Sequence, residues 1–144
     1  MAEEEKKAFD IQPYVNIINE VITELGVNPD EVHDKAKNTW SLYKGSAQVI
    51  IELFKIENNW YVDVRSPVCA IPTVNVLPFY RKLLELNHWN IGIKFSVDQD
   101  WTWLSVNREL EGMNKEEMTA NLNRVGNMAD EWDDKLREEF FTTQ

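Results

Sequence analysis

A chain of 144 residues with 43% hydrophobic and 11% aromatic residues is long enough to bury a core of its own and too apolar to stay disordered. Its formal net charge of −10, from 25 acidic against 15 basic side chains, opposes binding to phosphate backbones and anionic lipid, so neither nucleic acid nor membrane is an expected partner. Cys69 is the single cysteine, which excludes an intramolecular disulfide; with no leader-like start and no apolar run of about eighteen residues, a cytoplasmic location is expected.

Residues 1–8 read as a charged tail and residues 9–144 as one domain. From Asp10 to Leu25 the apolar residues Tyr14, Ile18, Val21, Ile22 and Leu25 recur at the spacing of one helical face. Asp10 is a suitable N-cap, Pro13 is tolerated in the first turn, and Gly26 supplies a stop. Residues 28–38 are polar and open with turn chemistry, which predicts a loop or a broken helical turn. Three strand-like runs follow, Thr39 to Tyr43, Ala47 to Ile56 and Trp60 to Val68, and the short polar separators between them predict an antiparallel meander. In the third run Trp60, Val62 and Val64 alternate with Tyr61, Asp63 and Arg65, one face for the core and one for water. In the second, Val49, Ile50, Ile51, Leu53 and Phe54 are nearly continuous, which predicts a strand covered on both faces, by a helix on one side and a second subunit on the other.

Pro67 and Pro72 bracket the extended exit of the meander, and Phe79, Leu83, Leu84 and Leu86 mark a helix from Val76 to Asn87. Ile91, Ile93, Phe95 and Val97 then alternate as a strand, residues 98–100 turn, and Trp101 to Val106 return as its partner. Asn114, with Glu117 three residues on, opens a final helix whose stripe runs through Met118, Leu122, Val125, Ala129, Trp132, Leu136 and Phe140. Gly126 interrupts that helix at a cost of about 1 kcal/mol relative to alanine, and close approach of another element would account for it. The order α-β-β-β-α-β-β-α specifies an α+β fold, an antiparallel sheet with helices packed on one face, and not a βαβ nucleotide-binding unit.

Chemistry-bearing constellations are sparse. His33 and His88, the only histidines, lie far apart with no Cys-x-x-Cys spacing, so no metal is expected. The glycines are isolated, which excludes a phosphate-cradling loop, and no cofactor is expected. Cys69 among Val68, Ala70 and Ile71 reads as a small buried hydrophobe, and pairs such as Asp133-Asp134 as the solvated side of a helix. The reading is therefore not an enzyme but a protein-binding module acting as a homodimer. Its contact residues are expected among Trp89, Trp101 and Trp103 around the second hairpin, Phe79 and Leu83 on the middle helix, and Ile50 and Phe54 on the second strand. Packing of the tryptophans into the domain's own core is the competing account. Two other functions fit the same pattern: a small-molecule sensor with a pocket between sheet and helices lined by Trp60, Trp101 or Trp103, and a dedicated assembly factor or subunit of one complex.

The order of elements, with Leu83-Leu84-Glu85-Leu86-Asn87 leading into Ile91-Gly92-Ile93-Lys94-Phe95, resembles the YbjN family of bacterial sensory transduction regulators. The segment Val62-Asp63-Val64-Arg65-Ser66-Pro67-Val68 looks like that family's third strand and exit, and the Trp132 helix like its terminal helix, so the resemblance runs from Phe9 to Phe140. That family is similar in fold to the class I chaperones of type III secretion, acidic α+β homodimers that hold unfolded segments of effector proteins. The resemblance thus implies a chaperone-like or regulatory module of a bacterial cytoplasm and supplies no catalytic residues. The chain departs from the family at Asp98-Gln99-Asp100, where a glycine is common in the turn, and in its wealth of tryptophan.

Overall fold

The computed structural model describes residues 8–141; the expected tail therefore lies almost wholly outside the described residues. The elements run α1 (Gln12–Glu24), α2 (Pro29–Val32), β1 (His33–Asp34), β2 (Thr39–Lys44), β3 (Ala47–Ile56), β4 (Asn59–Ala70), α3 (Val76–Trp89), β5 (Lys94–Asp98), β6 (Trp101–Glu109) and α4 (Lys115–Phe141). All strands join one antiparallel sheet in the order β1-β2-β3-β4-β6-β5. This is the α+β class expected, with the meander and the second hairpin in place.

Local chemistry explains where boundaries moved. Asp10 accepts the Gln12 N–H at 2.9 Å, yet the residue capping α1 is Ile11, one position later. The polar stretch after α1 is more ordered than its composition suggested. Asn28 accepts the Asp30 N–H and starts α2, and Asp34 accepts the Ala36 N–H after a β1 that pairs only with Thr39 and Trp40. β4 continues through Pro67 to Ala70 because the ladder with β6 shifts register between Pro67 and Cys69, a bulge that accommodates a residue with no N–H to donate. β5 begins only at Lys94, since Gly92 takes a left-handed φ of +74° and breaks the alternation that Ile91 would have extended.

α4 crosses β4, β3, β6 and β2, α1 packs on α4, and α3 flanks β5. Between helices and sheet lies one apolar core that includes Ile18, Ile22, Trp40, Ile51, Leu104, Met118, Leu122 and Leu136, each essentially without solvent exposure. The stripe read on α4 faces this core, with Trp132 and Phe140 at its margin. Asn114 accepts the Glu117 N–H at 2.8 Å, as a capping residue should. Gly126 sits beneath the β2–β3 hairpin: a Cβ there would lie 2.8 Å from Lys44 Cδ and 3.1 Å from Lys44 Cβ. Lys44 donates to Asn123 and Ser46 to Asp130, so the hairpin tip grips α4 one turn either side of the glycine. Lys115 ties α1 to α4 through Glu20, at 3.0 Å, and Glu24; these bonds push its pKa up to about 12.

Two expected results arise from strained or buried positions. Gln99 opens the β5–β6 turn at a φ of +54°, a region that L-residues occupy at a cost. Gln99→Gly should therefore raise the unfolding free energy by roughly 0.5–1 kcal/mol, read from urea midpoints; a lower midpoint would refute the strain. His33 stacks face to face on Trp40 with centroids 4.1 Å apart, and its Nε2 is buried without a hydrogen-bond partner. Desolvation, helped by Lys35 and opposed by Asp34 and Asp30, lowers its pKa from 6.5. The folded state thus prefers the neutral ring. Its contribution is complete above the unfolded value of about 6.5 and is lost as pH falls below that toward the depressed folded value. His33→Phe should lose less stability than the wild type between neutral pH and the mildly acidic range above carboxylate titration, and equal slopes in the two proteins would contradict this.

Candidate functional site

Because the helices pack on one side of the sheet, its other face is bare. Strand alternation places Ile50, Glu52 and Phe54 of β3 there, beside Tyr61, Asp63, Arg65 and Pro67 of β4 and Trp101, Trp103, Ser105, Asn107 and Glu109 of β6. Lys94, Ser96 and Asp98 of β5 extend the face on one side, and Thr39, Ser41 and Tyr43 of β2 on the other. The register aligns Lys94, Ser105, Arg65 and Ile50 in one row across four strands. Arg65 donates to Glu52 at 2.7 Å and Asp63 at 3.0 Å, and its guanidinium lies 5.9 Å from the Trp103 ring centroid. Desolvation alone would lower the Arg65 pKa, but those two hydrogen bonds and their charges raise it, so the cation is fixed in place. Phe54 and Tyr61 stack at 5.7 Å across the strand pair. A groove of about 580 Å³ runs over this face, with Ser105 at its floor and Arg65, Lys94, Trp103, Asp98 and Asn107 around it.

α3 offers a second exposed surface. Leu77 is 80% exposed, Leu84 69%, Trp89 78% and Ile91 91%, and Val74 precedes them. Leu77 and Leu84 lie seven residues apart, hence on one side of the helix. This corrects two of the expected contact residues. Phe79 is fully buried and Leu83 5% exposed, for both point into the protomer's own core, where Phe79 meets Phe140 edge to face at 5.2 Å. The remaining expected residues stay at the surface: Trp89 and Trp101 are exposed, and Trp103, Ile50 and Phe54 are half-buried on the open sheet face. Leu77 is left out of the sequence-based expectation and Ile91 is placed in a strand by it, although the seven-residue spacing of Leu77 and Leu84 signals that α3 carries apolar residues on two sides, one more than a single core requires.

The position expected for a small-molecule pocket is also corrected: the layer between sheet and helices is filled by the core cluster, and the 580 Å³ groove opens on the opposite side of the sheet. Cys69 is buried, and desolvation pushes its thiol pKa up, which makes it a poor nucleophile. Among the described residues no group of three or more His, Cys, Asp or Glu is placed to share a metal ion, and no helix is long and apolar enough to cross a membrane.

The family model "YbjN: Putative bacterial sensory transduction regulator" matches residues 14–138. Among solved structures, a chain of the ExsC–ExsE complex superposes with a TM-score of 0.67 at 19% identity, covering 89% of this chain and 97% of that one. A chain from the structure of the Yersinia pestis type III secretion chaperone SycH with a stable fragment of YscM2 gives 0.60 at 15% identity, covering 82% and 98%. YbjN from E. coli gives 0.51 at 16% identity, covering 83% and 87%. These likenesses establish the fold. No curated protein matches the sequence.

Proposed function

The chain belongs to the YbjN family, and from that premise we propose that it is a cytoplasmic, non-enzymatic binding module, chaperone-like or regulatory, which works as a homodimer and holds another protein on its open sheet face. The observation that carries this reading is the uncovered face itself, where Trp103, Phe54, Tyr61 and Ile50 stand on a rigid sheet with no helix of the protomer above them, while Trp101 stands at its end beside Arg137 and Phe141 of α4. Aromatic side chains are the usual anchors of protein interfaces. The SycH structure, of the same fold, was solved with a fragment of YscM2, which is consistent with a surface for protein partners.

Self-association is assigned to α3. A two-fold interface brings identical patches together, which suits the uncharged Leu77, Leu84 and Ile91 and disfavours the acidic sheet face. A stable dimer needs roughly 1,200–2,000 Å² of buried surface, so the loop residues flanking α3 must contribute as well.

Sedimentation and affinity capture test both halves. Wild type should sediment as a dimer, and Leu84→Lys as a folded monomer whose far-ultraviolet circular dichroism matches the wild type and whose melting temperature no longer rises with protein concentration. Trp103→Ala should remain dimeric while losing the proteins that the wild type retains from host cytosol. A dedicated assembly factor would retain one stoichiometric partner. Equal capture by wild type, Trp101→Ala and Trp103→Ala would end the sheet-face reading.

A further inference from the structure

Charge and shape on the open sheet face are specific enough to name the kind of partner, an inference that rests on the docking role proposed above. The face carries Glu52, Asp63, Asp98 and Glu109 against Arg65 and Lys94. Arg65 is already committed, bonded at once to Glu52 and Asp63 and held over Trp103. That leaves Lys94, exposed and without an ion pair among the described residues, as the cation an acidic partner could use. The chain as a whole is at −10, so its long-range field also repels anions. A second copy of this face is disfavoured for the same reason.

We propose that the open sheet face docks a basic segment of another protein, one in which lysine or arginine side chains are interspersed with large apolar ones. Long cationic side chains can lay their methylene stems on Trp103 and the Phe54–Tyr61 stack while their heads reach the carboxylates Glu52, Asp63 and Asp98 beside those rings. The groove over Ser105, 6% exposed and small between Lys94 and Arg65, gives depth for one apolar anchor against Trp103. Charge complementarity of this kind sets partner choice and association rate more than it sets total affinity.

The test uses the full chain and two synthetic peptides with the same leucines and phenylalanines, alternating with lysine in one and glutamate in the other. The lysine peptide should shift the indole N–H resonance of Trp103, and the glutamate peptide should not. The double variant Glu52→Gln/Asp98→Asn should bind the lysine peptide roughly tenfold more weakly, and more weakly again at high salt. Glu116→Gln/Asp134→Asn changes the net charge equally, on α4 away from the face, and should cost under about twofold. Equal loss in both double variants, equal binding of the two peptides, or shifts confined to α3 would each overturn the assignment of partner class. Should the lysine peptide fail to bind while Trp103→Ala still loses its captured partner, the partner class falls and the docking role stands. Should Trp103→Ala retain the partner, the docking role falls and this inference with it.

Discussion

Phe79→Ala should lower the unfolding free energy by roughly 3–5 kcal/mol, the usual cost of deleting a buried aromatic ring. Phe79 has no solvent exposure and joins α3 to α4 through its contact with Phe140, so its removal leaves a cavity at the joint between two helices. The ring is fully buried in the core and meets Phe140 edge to face, and a close-packed interior of this kind limits collapse. Chemical denaturation monitored by tryptophan fluorescence would measure the loss, and a change under about 1 kcal/mol would mean that the α3–α4 joint is not packed as described. The contrast with Leu84 on the same helix is the informative part. Leu84 makes no part of the protomer's core, so Leu84→Lys should shift the stability of the isolated protomer by no more than about 0.5 kcal/mol, while acting on self-association.

The second large effect is expected at Asn87. Its side-chain amide donates to the Phe95 carbonyl at 3.0 Å and accepts the Phe95 N–H at 2.6 Å, so one carboxamide takes the place of a further strand at the outer edge of β5. Phe95 is buried, and its two backbone groups have no neighbouring strand on that side, since β5 ends the sheet. Asn87→Ala strands both groups, at roughly 1–3 kcal/mol for each that water cannot reach. Asn87→Asp keeps the acceptor but sets a carboxylate against the Phe95 carbonyl, so its cost should fall between wild type and alanine. Amide exchange at Phe95 reports the bond directly: exchange should accelerate in Asn87→Ala relative to the surrounding strand, and far less in Asn87→Asp, which keeps the acceptor. Unchanged protection at Phe95 in Asn87→Ala would show that α3 alone covers the edge.

Asn87 also shows what kind of information a sequence motif carries. The asparagine in Leu83-Leu84-Glu85-Leu86-Asn87 was legible as part of a family pattern, yet its role becomes apparent only when Phe95, eight residues on, is seen presenting its backbone to that side chain. Gly126 is the parallel case. Its helix penalty implied a close neighbour, and the neighbour proved to be Lys44 of the β2–β3 hairpin, distant in sequence. On α3 the pattern misled. Phe79, Leu83, Leu84 and Leu86 form one set in the sequence pattern, whereas in the fold Phe79 and Leu83 enter the core and Leu84 joins Leu77 on the outside. Helical spacing fixes which residues share a side, but not which of two apolar sides meets the core.

The sequence by itself determined the type and order of the long elements. Period-two and 3.6-residue alternation are local properties of the chain, and they survive folding in β3, β4, β6 and α4. Helices on one face of the sheet follow from the order of elements; only the tertiary structure decided that β6, not β5, adds to β4 and which face of each strand the helices cover. On β3 and β6 both faces carry large apolar residues, so alternation alone could not choose between them. The choice falls to the non-local competition for burial, in which α1 and α4 fill the side of Val49, Ile51 and Leu104 and leave Ile50, Phe54 and Trp103 facing outward.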